Sequence, residues 1–208
     1  MKHWHLWILS SLGFFLASCM GGPAPQDHYY RLELPEPTSQ FHAPPLQGTL
    51  QITRPWADAL TSERHLLYRQ NMKTSQVFRH AYHRWSDSPT LILQQQIAHY
   101  LRGSGIASQV VTPELRVKAN YQFSCRISKM ERVLDNSPRV IIELELGVIH
   151  MRNREAMLLR TYYEELPINT HKISDSIEGY NQALTIILNQ FIKDTSNLPT
   201  AIPIKHHP

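Results

Sequence analysis

The sequence predicts an α/β fold: a three-layer sandwich whose mixed sheet contains an antiparallel meander and has helices packed on it. Apolar and polar residues alternate along residues 115–127 and 140–149, which is the period of a strand with one buried face. Residues 89–101 and 177–191 instead repeat apolar residues at the spacing of a helix. Clusters of proline, glycine and asparagine separate these segments, as is typical of turns between packed elements.

The composition is that of one globular domain. The chain has 208 residues, of which 42% are hydrophobic and 18% charged, so disordered, collagen-like and coiled-coil classes are excluded. The 21 basic and 17 acidic side chains are scattered without a basic stripe, so we expect no nucleic-acid binding. The two cysteines cannot build a disulfide scaffold.

The first 18 residues have the features of a lipoprotein signal peptide. A short start with one lysine precedes an apolar stretch over residues 6–16, which is shorter than the roughly 20 residues that cross a bilayer. The stretch ends in Leu16-Ala17-Ser18-Cys19, which resembles a bacterial lipobox. We therefore predict cleavage before Cys19 and attachment of lipid to its sulfur. The alternative is an ordinary signal peptide that happens to carry a cysteine.

A lipidated Cys19 would anchor the chain to a membrane without spanning it, because two or more acyl chains hold a protein stably. In enteric-type bacteria an aspartate after the lipidated cysteine tends to retain lipoproteins in the inner membrane, and here that position is Met20. We therefore expect the outer membrane. Residues 19–28 are predicted to be a lipidated tether, residues 29–195 the domain, and residues 196–208 a flexible tail.

The first half of the domain is predicted to alternate strands with one helix. Residues 28–34 form a strand that Pro35 ends, and a proline-rich loop follows. Ser88 and Pro89 are good residues for the N-cap and first position of a helix, which Gly103 and Gly105 end. The other predicted strands of this half lie at residues 50–54, 65–69, 77–85 and 109–111.

The second half is predicted to be a three-stranded meander and a helix. Its strands cover residues 115–127, 140–149 and 157–166. Ile141 and Ile149 give the middle strand a second apolar face, which a helix or another protein could cover. Asp175 and Glu178 resemble a capping box for the last helix, whose apolar face is expected to belong to the core rather than to a lipid groove.

A search for metal and nucleotide chemistry returns no strong motif. There is no phosphate-binding loop, and Gly103-Ser104-Gly105 lacks the spacing of a nucleophile elbow. His80 and His83 are three residues apart, which on a regular strand places them on opposite faces. His206 and His207 lie in the predicted tail and support only adventitious metal binding. We therefore predict no metal site and no cofactor.

Candidate catalytic groups have simpler structural interpretations. Glu143 and Glu145 face one way like a pair of catalytic carboxylates, but a solvated strand face gives the same pattern. Glu164 and Glu165 are interpreted in the same way, and Cys125 falls in the apolar register of a core residue. We therefore predict that the chain is not an enzyme.

The order of landmarks resembles the ABC-type transport auxiliary lipoproteins of the PqiC/YmbA type, over about residues 19–195. In that family a Tyr-Tyr-x-Leu strand follows the lipidated cysteine, a second strand ends in Arg-Pro, and a Leu/Tyr-Arg strand comes next. A tryptophan then stands before a helix that begins with proline, and this helix ends in a Leu-x-x-Ser-Gly-like stretch. The corresponding segments here are Tyr29-Tyr30-Arg31-Leu32, Ile52-Thr53-Arg54-Pro55, Leu66-Leu67-Tyr68-Arg69, Arg84-Trp85-Ser86-Asp87-Ser88-Pro89 and Leu101-Arg102-Gly103-Ser104-Gly105. Trp56 and residues 70–80 depart from the pattern.

The resemblance implies a non-catalytic auxiliary subunit, tethered to the outer membrane, for an ABC transporter with an MCE-type periplasmic protein. Its cargo would be phospholipid or another apolar molecule, its partner the MCE-type component, and self-association stays open. A periplasmic lipid carrier is the main alternative, and a cell-envelope hydrolase is the third.

Overall fold

The computed structural model describes residues 24–198. The predicted signal peptide, Cys19 and the part of the predicted tail from residue 199 onward lie outside the described residues. The elements are β1 (His28–Tyr30), β2 (Leu46–Ile52), β3 (Trp56–Ala57), β4 (His65–Arg69), β5 (Phe78–Trp85), α1 (Pro89–Ser104), β6 (Ala107–Val111), β7 (Tyr121–Val133), β8 (Arg139–His150), β9 (Glu155–Pro167) and α2 (Ile173–Ser196).

A nine-stranded mixed sheet curls into a half-barrel against the two helices, with β7 as its central strand. One edge of β7 pairs antiparallel with β8, which pairs antiparallel with β9. The other edge pairs in parallel with β2, β3 and β4 in succession. Outside these, β6 joins β2, β5 joins β4, and β1 joins β5. The predicted α/β fold, with a mixed sheet, an antiparallel meander and helices packed on it, is confirmed.

One core joins the sheet to both helices. Phe123 of β7 meets Phe191 of α2 edge to face, with 5.2 Å between ring centres. Tyr100 of α1 donates a hydrogen bond to Asn189 of α2 over 2.8 Å, so the helices contact each other as well as the sheet. The apolar stripes predicted for both helices are buried, which confirms that these faces belong to the core.

The predicted strand at residues 28–34 is paired only over its first three residues. Leu32 and Leu34 are buried as the alternation indicated. However, the backbone N–H groups of Glu33 and Leu34 donate to the side chains of Asn181 and Gln96 on the two helices. This segment therefore leaves the sheet and lies against the helices.

The predicted strand at residues 115–127 begins later and continues further than expected. Leu115 closes a short 3₁₀ turn and is 62% exposed, and Val117 is also exposed. Arg116 has a positive φ of 52°, which a strand does not allow. The alternation becomes a strand only from Tyr121, where pairing with β8 begins.

The helix ends match the predictions at α1 but not at the start of α2. Gly105 has the left-handed conformation that ends α1, and a Cβ there would lie 2.9 Å from the carbonyl oxygen of Phe41. The N-cap of α2 is Lys172, so the predicted capping box at Asp175 is wrong. The Asp175 carboxylate instead accepts a hydrogen bond from the Thr170 hydroxyl.

Candidate docking surface

The face of β7, β8 and β9 that points away from the helices, together with Trp56 of β3, forms the surface that we call the open face. Its side chains follow the register of the strands. Trp56, Arg126, Glu145 and Thr161 form one row. The rows on either side are Ser124, Gly147 and Leu159, and Lys129, Glu143 and Tyr163.

Three large apolar side chains of the open face are exposed. Trp56 is 56% exposed, Leu159 62% and Tyr163 45%. Leu159 lies over Gly147, where a Cβ would come within 3.3 Å of the leucine Cδ1. Aromatic and apolar groups on a rigid sheet, surrounded by charged groups, are typical of protein-binding surfaces.

Charged side chains hold the aromatic groups of the open face in place. The guanidinium carbon of Arg126 lies 4.2 Å from the centre of the Trp56 ring, a cation–π contact. The Lys129 ammonium lies 2.6 Å from a carboxylate oxygen of Glu143 and 5.7 Å from the Tyr163 ring centre. Burial, followed by the Glu165 carboxylate, raises the pKa of Tyr163 to about 12, so its hydroxyl is neutral at physiological pH.

Three of the four candidate catalytic carboxylates have structural partners, and the fourth, Glu145, stands between Arg126 and Thr161 in the register of the open face. Glu143 is paired with Lys129, and Glu164 accepts a hydrogen bond from Gln190 of α2 over 3.0 Å. Arg139 forms an ion pair with Glu165. Cys125 is buried, and burial raises the pKa of its thiol well above the ordinary range, so it is unsuited to act as a nucleophile.

We expect Glu143→Gln to leave hydrolytic activity unchanged, because the carboxylate pairs with Lys129 and has no activated nucleophile beside it. The measurement is a broad esterase, lipase and glycosidase screen on the wild type and the variant. Both should stay at background. Robust turnover that the substitution abolishes would make the chain an enzyme and would contradict this interpretation.

A cluster of histidine, tyrosine and arginine side chains lies on the inner side of the sheet between β1, β5 and β7. Arg132 of β7 is 1% exposed and donates to Nε2 of His80 over 3.0 Å. It also donates to the carbonyl oxygen of His171, just before α2, over 2.7 Å. The guanidinium group therefore connects the sheet to the start of the helix.

The expectation that His80 and His83 lie on opposite faces is wrong. Their ring centres are 5.6 Å apart, because the register between β4 and β5 shifts and breaks the alternation of β5. His83 stacks on His28 of β1, and its Nδ1 lies 2.9 Å from the Tyr30 hydroxyl. Across residues 24–198, no group of three or more His, Cys, Asp or Glu side chains could hold a metal ion.

Acid is expected to destabilise the fold through His80. Burial, followed by the nearby Arg132 and His83, lowers the pKa of His80 to about 4, and burial also lowers that of His83. The unfolded chain binds these protons near pH 6.5 and the folded chain does not, so stability present above pH 6.5 is lost as the pH falls toward 4.

The measurement for this prediction is urea unfolding at several pH values between about 4 and 7. His80→Gln should flatten the dependence of the free energy of unfolding on pH. His42→Gln, which changes an exposed histidine, is the control and should leave the dependence unchanged. An equal slope in the wild type and His80→Gln would contradict the prediction.

A groove of about 550 Å³ lies between residues 33–35 and the outer side of α2. Its volume is within the range of small-ligand sites. The groove is open, and its lining combines the apolar side chains Leu34, Pro35 and Ile186 with Glu33 and polar side chains of α2. Neither α1 nor α2 is long and apolar enough to cross a membrane.

The landmark residues of the sequence pattern join elements of the fold. Arg54, at the end of β2, donates to the hydroxyls of Ser88 and Thr90 at the start of α1. Arg69 forms an ion pair of 2.6 Å with the buried Glu131. Trp85 is 2% exposed and meets the Tyr180 ring of α2 with 5.6 Å between ring centres. The landmark residues therefore make contacts that connect the helices to the sheet and the strands to one another.

The family profile described as the ABC-type transport auxiliary lipoprotein component matches residues 30–191. The chain belongs to this family. The match covers the strands from β2 to β9, helix α1 and most of α2, so it includes both the open face and the landmark residues. Members are lipoprotein auxiliary components of ABC-type transport, and the chain shares this general role.

Solved structures support the fold of this ABC-type auxiliary lipoprotein. Protein XCC0632 from Xanthomonas campestris is similar with a TM-score of 0.70 and 16% identity, over 81% of this chain and 95% of that one. An uncharacterized protein is similar with a TM-score of 0.64 and 12% identity, over 82% and 99%. A search of curated proteins returns no match.

Sequence reasoning missed Arg132 and the exposed residues Trp56, Leu159 and Tyr163; of the open face it indicated only the second apolar side of the strand at residues 140–149. Arg132 follows the register shift after Ile127, so its inward position could not be read from the alternation before it. Trp56 stands in a two-residue strand that has no periodicity of its own. The only signal at Trp56 was its departure from the pattern of the auxiliary lipoproteins.

Proposed function

We propose that this auxiliary lipoprotein is anchored to the outer membrane through Cys19 and docks the MCE-type periplasmic component of an ABC transporter with its open face. The observation that carries the proposal is the family match over residues 30–191, on a domain whose open face exposes Trp56, Leu159 and Tyr163. The role is non-catalytic, and the cargo is phospholipid or another apolar molecule handled by the whole transport system.

The open face suits docking because its exposed apolar side chains are preorganised. Trp56 is pinned by Arg126, and Leu159 and Tyr163 stand on β9, which is paired along its length with β8. Little side-chain freedom is then lost on binding, which lowers the cost of association. The charged neighbours Arg126, Lys129 and Glu143 would orient the partner more than they would add affinity.

Anchoring would raise the effective concentration of the domain near a partner that reaches the same membrane. A linked binding event of this kind gains affinity without any new contact. The tether and the docking face therefore contribute separately, and each can be changed without the other.

Site-specific photo-crosslinking in cells tests the docking face. A photoreactive residue at position 159 should form an adduct that mass spectrometry identifies as an MCE-type transport component. The matched control is position 115, because Leu115 is also 62% exposed but lies outside the open face. Trp56→Glu should weaken the adduct at position 159, whereas Leu115→Lys should not.

Other outcomes would contradict the proposed docking. Adducts with the MCE-type protein from position 115 and none from position 159 would place the contact elsewhere. Adducts from position 159 that contain only a second copy of this chain would make the open face a self-association surface.

A further inference from the structure

A second exposed surface lies at the opposite margin of the sheet from β9, where the chain enters the domain. We call it the edge patch, and it consists of Tyr29, Arg31, Arg64, Tyr82 and Arg84. Tyr29 and Tyr82 are 55% and 45% exposed, and neither belongs to the open face. The edge strand β1 is separated from β7 by β5 and β4, whereas β9 lies on the other side of β7.

Arg64 holds Tyr29 of the edge patch in place. Its guanidinium carbon lies 5.3 Å from the centre of the Tyr29 ring. The same group donates to the carbonyl oxygens of Trp85 and Ser86, with its Nη2 2.6 Å from the Ser86 oxygen. The tyrosine and the arginine are therefore fixed against the end of β5.

The sheet separates the edge patch from the buried histidine cluster. In β1 and β5, His28 pairs with His83, and Tyr29 pairs with Arg84. Since His83 contacts Tyr30 on the inner side, the next residue, Arg84, points to the other side together with its partner Tyr29. Tyr82 stands in the irregular part of β5, and its place on this surface rests on its exposure of 45%. Within residues 24–198, Asp27 is the carboxylate that contacts the patch: one oxygen lies 3.4 Å from Nε of Arg84, and the other accepts a hydrogen bond from the Tyr29 hydroxyl over 3.4 Å.

We propose that the edge patch rests on the anionic phospholipid headgroups of the membrane that holds the chain. The proposal depends on the anchoring at Cys19 proposed above. The edge patch has three arginines and one contacting carboxylate. This excess of positive charge suits an anionic surface, because basic residues near a bilayer attract anionic lipid. Exposed tyrosines beside them suit the interfacial region, where aromatic rings with a polar end are enriched.

The length of the tether makes this contact possible. His28 follows Cys19 by nine residues, which span at most about 30 Å when fully extended. The edge patch begins at the next residue, Tyr29, so it is the part of the domain nearest the anchor along the chain. Contact there would be made at the margin of the sheet opposite β9, so Leu159 would lie farther from the bilayer than Tyr82.

The test measures which side of an anchored domain faces the lipid. The chain from residue 19 with Cys19→Ser keeps every described residue, and an N-terminal polyhistidine segment replaces the acyl chains. It is bound to vesicles of phosphatidylcholine and phosphatidylglycerol that contain nickel-chelating lipid and a headgroup-attached nitroxide quencher. A fluorophore is placed on Tyr82→Cys or, as the control, on Leu159→Cys; Cys125 stays unlabelled because it is buried.

We expect the fluorophore at position 82 to be quenched at least about twofold more than the one at position 159, and salt should reduce the difference because it screens exposed charges. Arg31→Glu, which breaks no contact described above, should lower the quenching at position 82, and Arg64→Glu should lower it further. Reversing two exposed charges elsewhere, with Lys118→Glu and Arg152→Glu, is the control and should leave it unchanged.

Equal quenching at the two positions, or a difference that survives Arg31→Glu and high salt, would overturn the proposal. Because the synthetic anchor replaces the lipid, this failure is distinct from failure of the lipidation at Cys19. If the chain is lipidated in cells but the two positions are quenched equally, the anchor at Cys19 is supported and the membrane contact of the edge patch is not.

Discussion

Trp85→Ala is expected to lower the free energy of unfolding by about 3–5 kcal/mol, the usual cost of truncating a buried tryptophan. Trp85 is 2% exposed and its ring meets Tyr180 of α2. Its backbone also joins the end of β5 to the start of β4, because its N–H donates to the carbonyl oxygen of Arg64, the residue before β4. The substitution would leave a cavity where β5, the start of α1 and α2 converge.

Trp56→Ala is the matched control, because Trp56 is 56% exposed and its removal creates no cavity. Substitutions at exposed sites usually change stability by less than about 0.5 kcal/mol. Urea and thermal unfolding followed by circular dichroism would measure both variants. Equal midpoints for Trp85→Ala and the wild type would show that the landmark tryptophan does not support the fold.

Burial was more predictable from the sequence than pairing. Leu32 and Leu34 are buried as their alternation indicated, but helix side chains rather than a neighbouring strand satisfy the backbone between them. A period of two reports that alternate side chains face one side. It does not report which partner receives the N–H groups, and here that partner lies about 60 and 150 residues further along the chain.

The errors at β5 and β7 have a related cause. Regular strand geometry places His80 and His83 on opposite faces, but a register shift brings their rings together. At residues 115–119 the apolar pattern continues through a 3₁₀ turn and a residue with positive φ. Irregular backbone is fixed by tertiary contacts, so a local pattern cannot reveal it.

The candidate site was predictable only in outline. The family resemblance indicated an auxiliary lipoprotein and is confirmed by the match over residues 30–191. Which surface is exposed depends on how β3, β8 and β9 align beside β7, and that alignment brings together Trp56, Leu159 and Tyr163 from distant parts of the chain. Neither these three residues nor the edge patch forms a sequence motif.

Cys19→Ala is expected to abolish membrane attachment, the largest effect that we predict for any single substitution. The cysteine sulfur is the proposed acceptor of lipid, so alanine would remove both the attachment site and the residue that directs cleavage after Ser18. The domain should still fold, because the core comes from residues 32–192, beyond the proposed tether. Docking should weaken because an untethered copy is no longer held near its partner and loses the effective concentration that a shared membrane provides.

Fatty-acid labelling and membrane fractionation of the wild type and Cys19→Ala measure this effect. The wild type should incorporate label and sediment with the outer membrane after a high-salt wash, and the variant should do neither. Ser18→Ala is the control, because a small residue before the cysteine still fits the lipobox pattern and labelling should persist. A wild type without label, or a variant that stays as firmly bound as the wild type, would remove the anchor from the proposed function. The high-salt wash decides between the two modes of attachment, because it would detach an edge patch held by charge but not an acyl chain held by hydrocarbon.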